Sequence, residues 1–278
     1  MSGFVIALIL LAAVLHALWN ALIRSGADRL WSITYMTITT AAVSAIGLFW
    51  LGLPAAASRP YAVLSGVLHL GYALFLSKAY RVGDLGQTYP IARGSSPLLI
   101  ALGAAVLAGE HLNGPTFAGV ALVSGGIMSL ALDGRRLAVP SIPAALGTGC
   151  FIAAYSVTDG MGVRVSGNSL SYTALVFFLW GILVPPVFVA ARGWTSLRGT
   201  WQEAAKAAGG GIISLFAYGV VIWAMQLGAM GTVSALRETS VVFAALLGRC
   251  FLRERLTPQR IAACLVIAGG AICLGYHR

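Results

Sequence analysis

Charge is scarce in this chain. Only 9% of its 278 residues are charged, and acids are the rarer sign: 8 Asp and Glu stand against 18 Lys and Arg, for a net charge of +10. A soluble domain carries about 25% charged residues, so the polar coat needed to hold a globule of this size in water is missing. The composition likewise excludes disorder, collagen and a disulfide scaffold. Apolar and polar residues do not alternate, which excludes a transmembrane β-barrel. The four cysteines, Cys150, Cys250, Cys264 and Cys273, all lie inside apolar runs with no Cys-x-x-Cys pair. They read as small buried residues, and no metal site or cofactor is expected. The first 20 residues lack the basic segment and cleavage site of a signal peptide and read as a first membrane span. The basic residues show no interleaving with aromatics on a polar face. They sit in the breaks between apolar runs, where they set topology, so nucleic acid is not an expected partner.

What is abundant is apolar sequence. Hydrophobic residues make up 59% of the chain, glycine 34 of 278 positions, and mean hydropathy is +0.88. Apolar runs of about 20 residues are long enough to cross a bilayer as helices. The spacing predicts an all-α polytopic membrane protein with ten transmembrane helices. The spans fall at about 3–23, 31–53, 60–80, 86–108, 114–132, 141–161, 170–191, 207–227, 230–251 and 258–276. The longest break, 192–206, is too short for a domain, so function must lie within or across the bilayer of the cell (inner) membrane.

The chain repeats itself. At an offset of 144, residues 93–127 align with 237–271, matching Arg93 with Arg237, Ser96 with Ser240, Glu110 with Glu254, and Gly125-Gly126 with Gly269-Gly270. Two repeats follow, 1–137 and 138–278, each of five spans. An odd number forces the second to enter the membrane from the opposite side. That is the inverted repeat of many secondary transporters, whose site lies near the midplane between repeats.

Several motifs carry a resemblance. These are Leu-His-Ala-Leu-Trp-Asn at 15–20, Tyr-Pro-Ile-Ala-Arg at 89–93, Gly-Glu-x-Leu at 109–112 and Arg-Glu-Arg-Leu-Thr-Pro-Gln at 253–259. With the ten-span organisation they resemble the EamA-type permeases of the drug/metabolite transporter superfamily. The Tyr-Pro-Ile-Ala-Arg-Gly-Ser stretch is also similar to a subgroup associated with phosphonate utilisation. The resemblance implies a cavity ringed by spans 1–4 and 6–9, with spans 5 and 10 outside, and it leaves the substrate open.

Charge at membrane depth costs at least ~2.5–3.5 kcal/mol on insertion scales and marks function by default. Arg93, Arg237 and Glu238 lie there, with one positive charge in surplus. They are candidate substrate ligands, because Arg grips a carboxylate or phosphonate through a bidentate fork. The plain alternative is an ion pair that fixes packing, with Glu238 on Arg93 and Arg237 left to neighbouring carbonyls. Pro90 and Pro97 free the carbonyls of Gly86 and Arg93, so the segment through Ser96 reads as kinked and cavity-facing. Ser96 and Ser240 join the candidate ligands, with Trp19, Asn20, Tyr72, Tyr89, Tyr155 and Tyr218; Trp180 reads as packing. His16, His69 and Asp159 are candidates for proton coupling, Asp159 as an acidic gate residue near the end of span 6. Small residues at Ala121, Gly125 and Ser129, echoed by Gly269 and Cys273, offer a close-packing face, for a homodimer or for packing within the chain.

The function these readings favour is a secondary transporter that moves a small organic anion or zwitterion, amino-acid- or aminophosphonate-like, by alternating access. Alternatives are a lipid or lipid-linked-sugar flippase on the same scaffold, or a non-transporting structural or sensory membrane protein. No His-Glu-x-x-His, paired carboxylates or Ser/His/Asp set supports an enzyme, and no Walker motif supports ATP drive. Thirteen of the 18 Lys and Arg lie at the loops after odd-numbered spans, against Arg59, Arg164 and Arg278 on the other side. The positive-inside rule then places both termini outside the cytoplasm, whereas the resemblance implies cytoplasmic termini.

Overall fold

The computed structural model describes residues 1–24, 29–82, 85–132, 139–197, 199–251 and 256–276. In hydrocarbon every backbone N–H and C=O must be paired within the protein, and helices do this locally. Among the described residues the long elements are helices: α1 (Gly3–Arg24), α2 (Arg29–Leu51), α3 (Arg59–Val82), α4 (Leu85–Leu107), α5 (Gly114–Ser129), α6 (Ile142–Arg164), α7 (Ser169–Arg192), α8 (Trp201–Leu227), α9 (Met230–Glu238), α10 (Ser240–Phe251) and α11 (Pro258–Tyr276). Their ends are written in the sequence. Asn113 caps α5 by accepting from Thr116 N–H at 2.8 Å. Asn168 caps α7, and Thr200 and Glu203 form a capping box on α8. Gly109, past the end of α4, and Gly193, at the C-terminus of α7, have φ of 66° and 80°, a left-handed conformation that glycine adopts without a Cβ penalty.

Nine segments among the described residues are long and apolar enough to cross a membrane, α9 and α10 together forming one of them. α3, at 24 residues, is also of membrane-spanning length. The outer surface is apolar, with Phe49, Val106, Phe216 and Leu265 exposed, as a bilayer requires.

Helix pairing follows the internal repeat. α2 packs on α7, α5 on α11, and α4 on α9; the α3–α6 contact is answered by α8–α1, and α2–α8 by α7–α3. Each pairing maps onto itself or its partner when spans five apart are exchanged, which is a twofold relation. The face joining α5 to α11 is not the expected stripe. A Cβ on Gly119 or Gly126 would meet Leu274 or Ile267 at 2.7 or 2.8 Å, whereas Gly125 and Gly269 have nothing within 4 Å. The contacting glycines of α5 therefore lie about 100° round the helix from Gly125, which points outward with Gly269. Cys273 of the expected stripe does reach α5, its Sγ 3.7 Å from Pro115 O. Cys150, Cys264 and Cys273 are free thiols.

The ninth span is not the single helix expected over 230–251. The helix breaks at Thr239, whose N–H and hydroxyl both reach back three residues to Leu236 O, at 3.2 and 2.7 Å. The three-residue reach tightens the ladder into a 3₁₀ turn, directly after Arg237 and Glu238. At one end of the bundle Arg164 binds Glu110 and the carbonyls of Met225 and Gly228, at 3.1 and 3.0 Å. Glu110 accepts from Met230 N–H at 3.0 Å, so one ion pair ties the end of α8 to the start of α9. The Arg-Glu-Arg portion of the 253–259 motif, including Glu254, lies outside the described residues, as do Asp28, Gly83, Arg135, Arg136, Arg198 and Arg278.

Candidate functional site: a donor-rich central cavity

α4 and α9 bring the three membrane-depth charges together. Arg93 Nε lies 3.0 Å from Glu238 Oε2, and Arg237 Nη2 donates to Glu238 Oε1 at 2.7 Å. Glu238 is completely buried and the arginine side chains are 6% and 4% exposed. The expected Arg93–Glu238 pair is present, but Arg237 is not left to carbonyls: one carboxylate serves both arginines. The Arg93 contact is an ion pair without hydrogen-bond alignment, because Arg93 Nε and Glu238 Oε2 both lack a hydrogen-bond partner, as does Arg237 Nε. The position matching Glu238 in the first repeat is Gly94, where even a Cβ would meet Met128 Cγ at 2.4 Å and Ser124 O at 2.9 Å. Tight packing of α4 on α5 keeps that half free of a second acid.

Arg93 Nη2 also lies 2.8 Å from His16 Nε2, and Trp19 Nε1 lies 3.2 Å from His16 Nδ1. Arginine and indole donate only, and a neutral imidazole accepts at one nitrogen. One of these two donors is therefore left without its acceptor. Asn20 spends its amide on His16 O at 2.8 Å.

These groups line a cavity with room for about 70 Å³ of water. His16, Trp19 and Asn20 reach it from α1, His69 and Tyr72 from α3, and Tyr89 and Arg93 from α4. Tyr155 comes from α6, Tyr218 from α8 and Arg237 from α9. Arg93 lies 5.9 Å from the Tyr89 ring centroid and Arg237 5.8 Å from that of Tyr218, within cation–π range. None of the lining residues belongs to α5 or α11.

Three expected ligands do not line the cavity: Glu238, completely buried against its two arginines, Ser96 and Ser240. Ser96 donates to Arg93 O at 3.0 Å, filling the carbonyl that Pro97 frees, and lies off the cavity. Ser240 is buried at the start of α10, also off the cavity. Asp159 is no exposed gate. It is fully buried beneath the cavity wall, accepting from Tyr172 at 3.2 Å and Tyr218 at 2.8 Å. Trp180, read as packing, lines the cavity while packing on Phe177, and its Nε1 has no partner. Met36, Phe177 and Ser214 also line it. Nothing local distinguishes the first two from other apolar span residues; Ser214 was missed, although an isolated hydroxyl in the run Gly-Ile-Ile-Ser-Leu-Phe is a signal that could have found it.

The site thus sets two arginines sharing one carboxylate beside a cavity lined from both halves of the chain. Residues 139–276 match the EamA-like transporter family. The matched segment is the second half of the chain; it supports the drug/metabolite transporter superfamily, and the family is one of transporters. With its membrane-length helices, the chain is a multi-pass membrane protein, and the inner membrane is the usual location for such transporters. Comparison with curated proteins gives no match. Among solved structures, one crystal structure of a protein superposes with a TM-score of 0.76 at 22% identity, over 97% of this chain and 94% of that one. At that identity the likeness is one of fold, and it extends through both halves.

Proposed function

We propose that this EamA-like protein is a secondary transporter for a small organic anion or zwitterion, cycling by alternating access of the repeats 1–137 and 138–278 around the central cavity. The observation that carries the substrate class is the imbalance at Glu238 and His16. Two arginines and an indole share one carboxylate and one imidazole acceptor, and Trp180 Nε1 adds a further unpartnered donor. A bare cation entering here meets a net positive charge, and low dielectric magnifies the repulsion. A carboxylate or phosphonate supplies the missing acceptors, and an amine on the same molecule meets the rings of Tyr72, Tyr89, Tyr155 and Tyr218. Amino acids and aminophosphonates both have this form.

The test is competition on the purified protein in proteoliposomes, using alanine, 2-aminoethylphosphonate, acetate and tetramethylammonium. Alanine, 2-aminoethylphosphonate or acetate is expected to bind and be taken up, and tetramethylammonium is not. Preference for tetramethylammonium defeats the substrate class. Absence of uptake for any solute of this set in either direction counts against transport of small anions and zwitterions.

A further inference from the structure

Asp159 is fully buried on α6, and its carboxylate has only neutral donors. Tyr172 OH reaches Oδ1 at 3.2 Å, Tyr218 OH reaches Oδ2 at 2.8 Å, and the Ser65 hydroxyl lies near it. None of the ion pairs among the described residues includes it. A buried carboxylate without a cation is costly, and a proton removes the charge. The surroundings accommodate both forms. The charged form accepts from the Tyr172 and Tyr218 hydroxyls, and the neutral form donates to a neighbouring hydroxyl, since each hydroxyl oxygen also accepts.

The carboxyl also has a way out. His69 Nδ1 lies 3.2 Å from Ser65 Oγ and 2.9 Å from Ser65 O, and the His69 ring stands in the cavity wall, stacked on Tyr155 at 3.9 Å. With the Ser65 hydroxyl donating to Asp159, His69 Nδ1 is the donor to Ser65 and Nε2 is the nitrogen left to accept.

We propose that Asp159 is a proton-carrying carboxyl loaded from the cavity through His69 and Ser65. A proton from cavity water adds to His69 Nε2. The Nδ1 proton passes to Ser65 Oγ as the Ser65 hydroxyl proton passes to Asp159 Oδ. The ring returns to its neutral form with its proton on the other nitrogen. Reversal of the same transfers restores the starting tautomer and unloads the carboxyl. Asp159 meets Tyr172 from α7 and Tyr218 from α8 directly; of the other titratable and charged groups on the helices packed against it, α3 carries Tyr61 and His69, and its own helix carries Tyr155. α9 brings Arg237 with Glu238, and α4 brings Arg93. Tyr218 joins the two sites. Its hydroxyl binds Asp159 while Arg237 sits over its ring at 5.8 Å, so loading the carboxyl and filling the cavity act on one side chain. The proposal rests on the transporter reading for the use made of the proton.

Infrared difference spectroscopy of the full chain in lipid vesicles, without substrate, tests it. As pH falls from about 8 to about 5, a protonated-carboxyl C=O band is expected to grow. Asp159→Asn, whose amide carbonyl still accepts from Tyr172 and Tyr218, is expected to lack that band. Labelling with 4-¹³C-aspartate shifts aspartate bands and leaves glutamate bands in place, so the wild-type chain reports independently of the variant. In Ser65→Ala the band still grows, but after a pH jump its rise slows on the order of a hundredfold, the worth of a positioned proton transfer. A titrating band that is absent, unmoved by the label, or retained in Asp159→Asn overturns the proposal, and an unchanged rate in Ser65→Ala overturns the path. Either result leaves the transporter reading standing. Failed uptake with the band intact strikes that reading alone.

Discussion

Arg93 and Arg237, 144 positions apart and matched by the internal repeat, converge on the same carboxylate, with Glu238 at 3.0 Å from one and 2.7 Å from the other. The repeat thus supplies its arginine twice and its acid once. Loss of one arginine leaves Glu238 paired; loss of the acid leaves two buried cations facing each other.

The variants should therefore separate. Breaking a buried pair so that a charge stands alone costs about 3–5 kcal/mol, so Glu238→Gln is expected to lower the thermal unfolding temperature markedly. Arg93→Ala is expected to lower it less, because Arg237 still neutralises the acid, and to lose substrate binding while folded in the membrane. Unfolding and binding assays on the same preparations give both numbers. Equal destabilisation by the two variants, or full binding by Arg93→Ala, contradicts the assignment.

Ser96 repairs what Pro97 breaks. Ser96→Ala orphans the Arg93 carbonyl and is expected to cost about 1–3 kcal/mol. Ser96→Ala with Pro97→Ala returns an N–H four residues on and is expected to recover most of that loss. The measurement is a double-mutant cycle by unfolding, and additivity of the two changes refutes the pairing.

The Arg164–Glu110 pair should hold the first turn of α9. Glu110→Gln loses the charge-assisted bond to Met230 N–H, and a hydrogen bond to a charged group is worth about 1.5–3 kcal/mol. Amide exchange in the first turn of α9 is then expected to accelerate about tenfold or more, with exchange in α2 unaltered. Exchange read by mass spectrometry on the vesicle-bound protein decides this.

The charge distribution sets an expectation for topology. Thirteen Lys and Arg on the odd-loop side against three on the other place the termini outside the cytoplasm. A reporter that fluoresces only in the cytoplasm, fused after Arg278, is expected to stay dark. Strong fluorescence reverses the orientation and favours that implied by the family resemblance.

The sequence by itself determined the class of molecule. Apolar runs, helix caps such as Asn113 and Thr200, and the matched Arg93 and Arg237 are local or periodic signals, and hydrocarbon leaves a chain with such runs little choice but helices. It also singled out the membrane-depth charges, because their cost at that depth is independent of which helix lies alongside. Tertiary structure alone decided how each polar group is spent. Ser96 and Tyr218 looked alike as candidate ligands, yet one hydroxyl closes a proline gap in its own helix and the other bridges the cavity wall to Asp159. Asp159 itself, five residues from the end of α6, read as a gate until α3, α7 and α8 enclosed it. The break at Thr239, the sharing of Glu238 and the turning outward of Gly125 are likewise products of which helix faces which. That choice is made by packing over the whole bundle, and no window of sequence contains it.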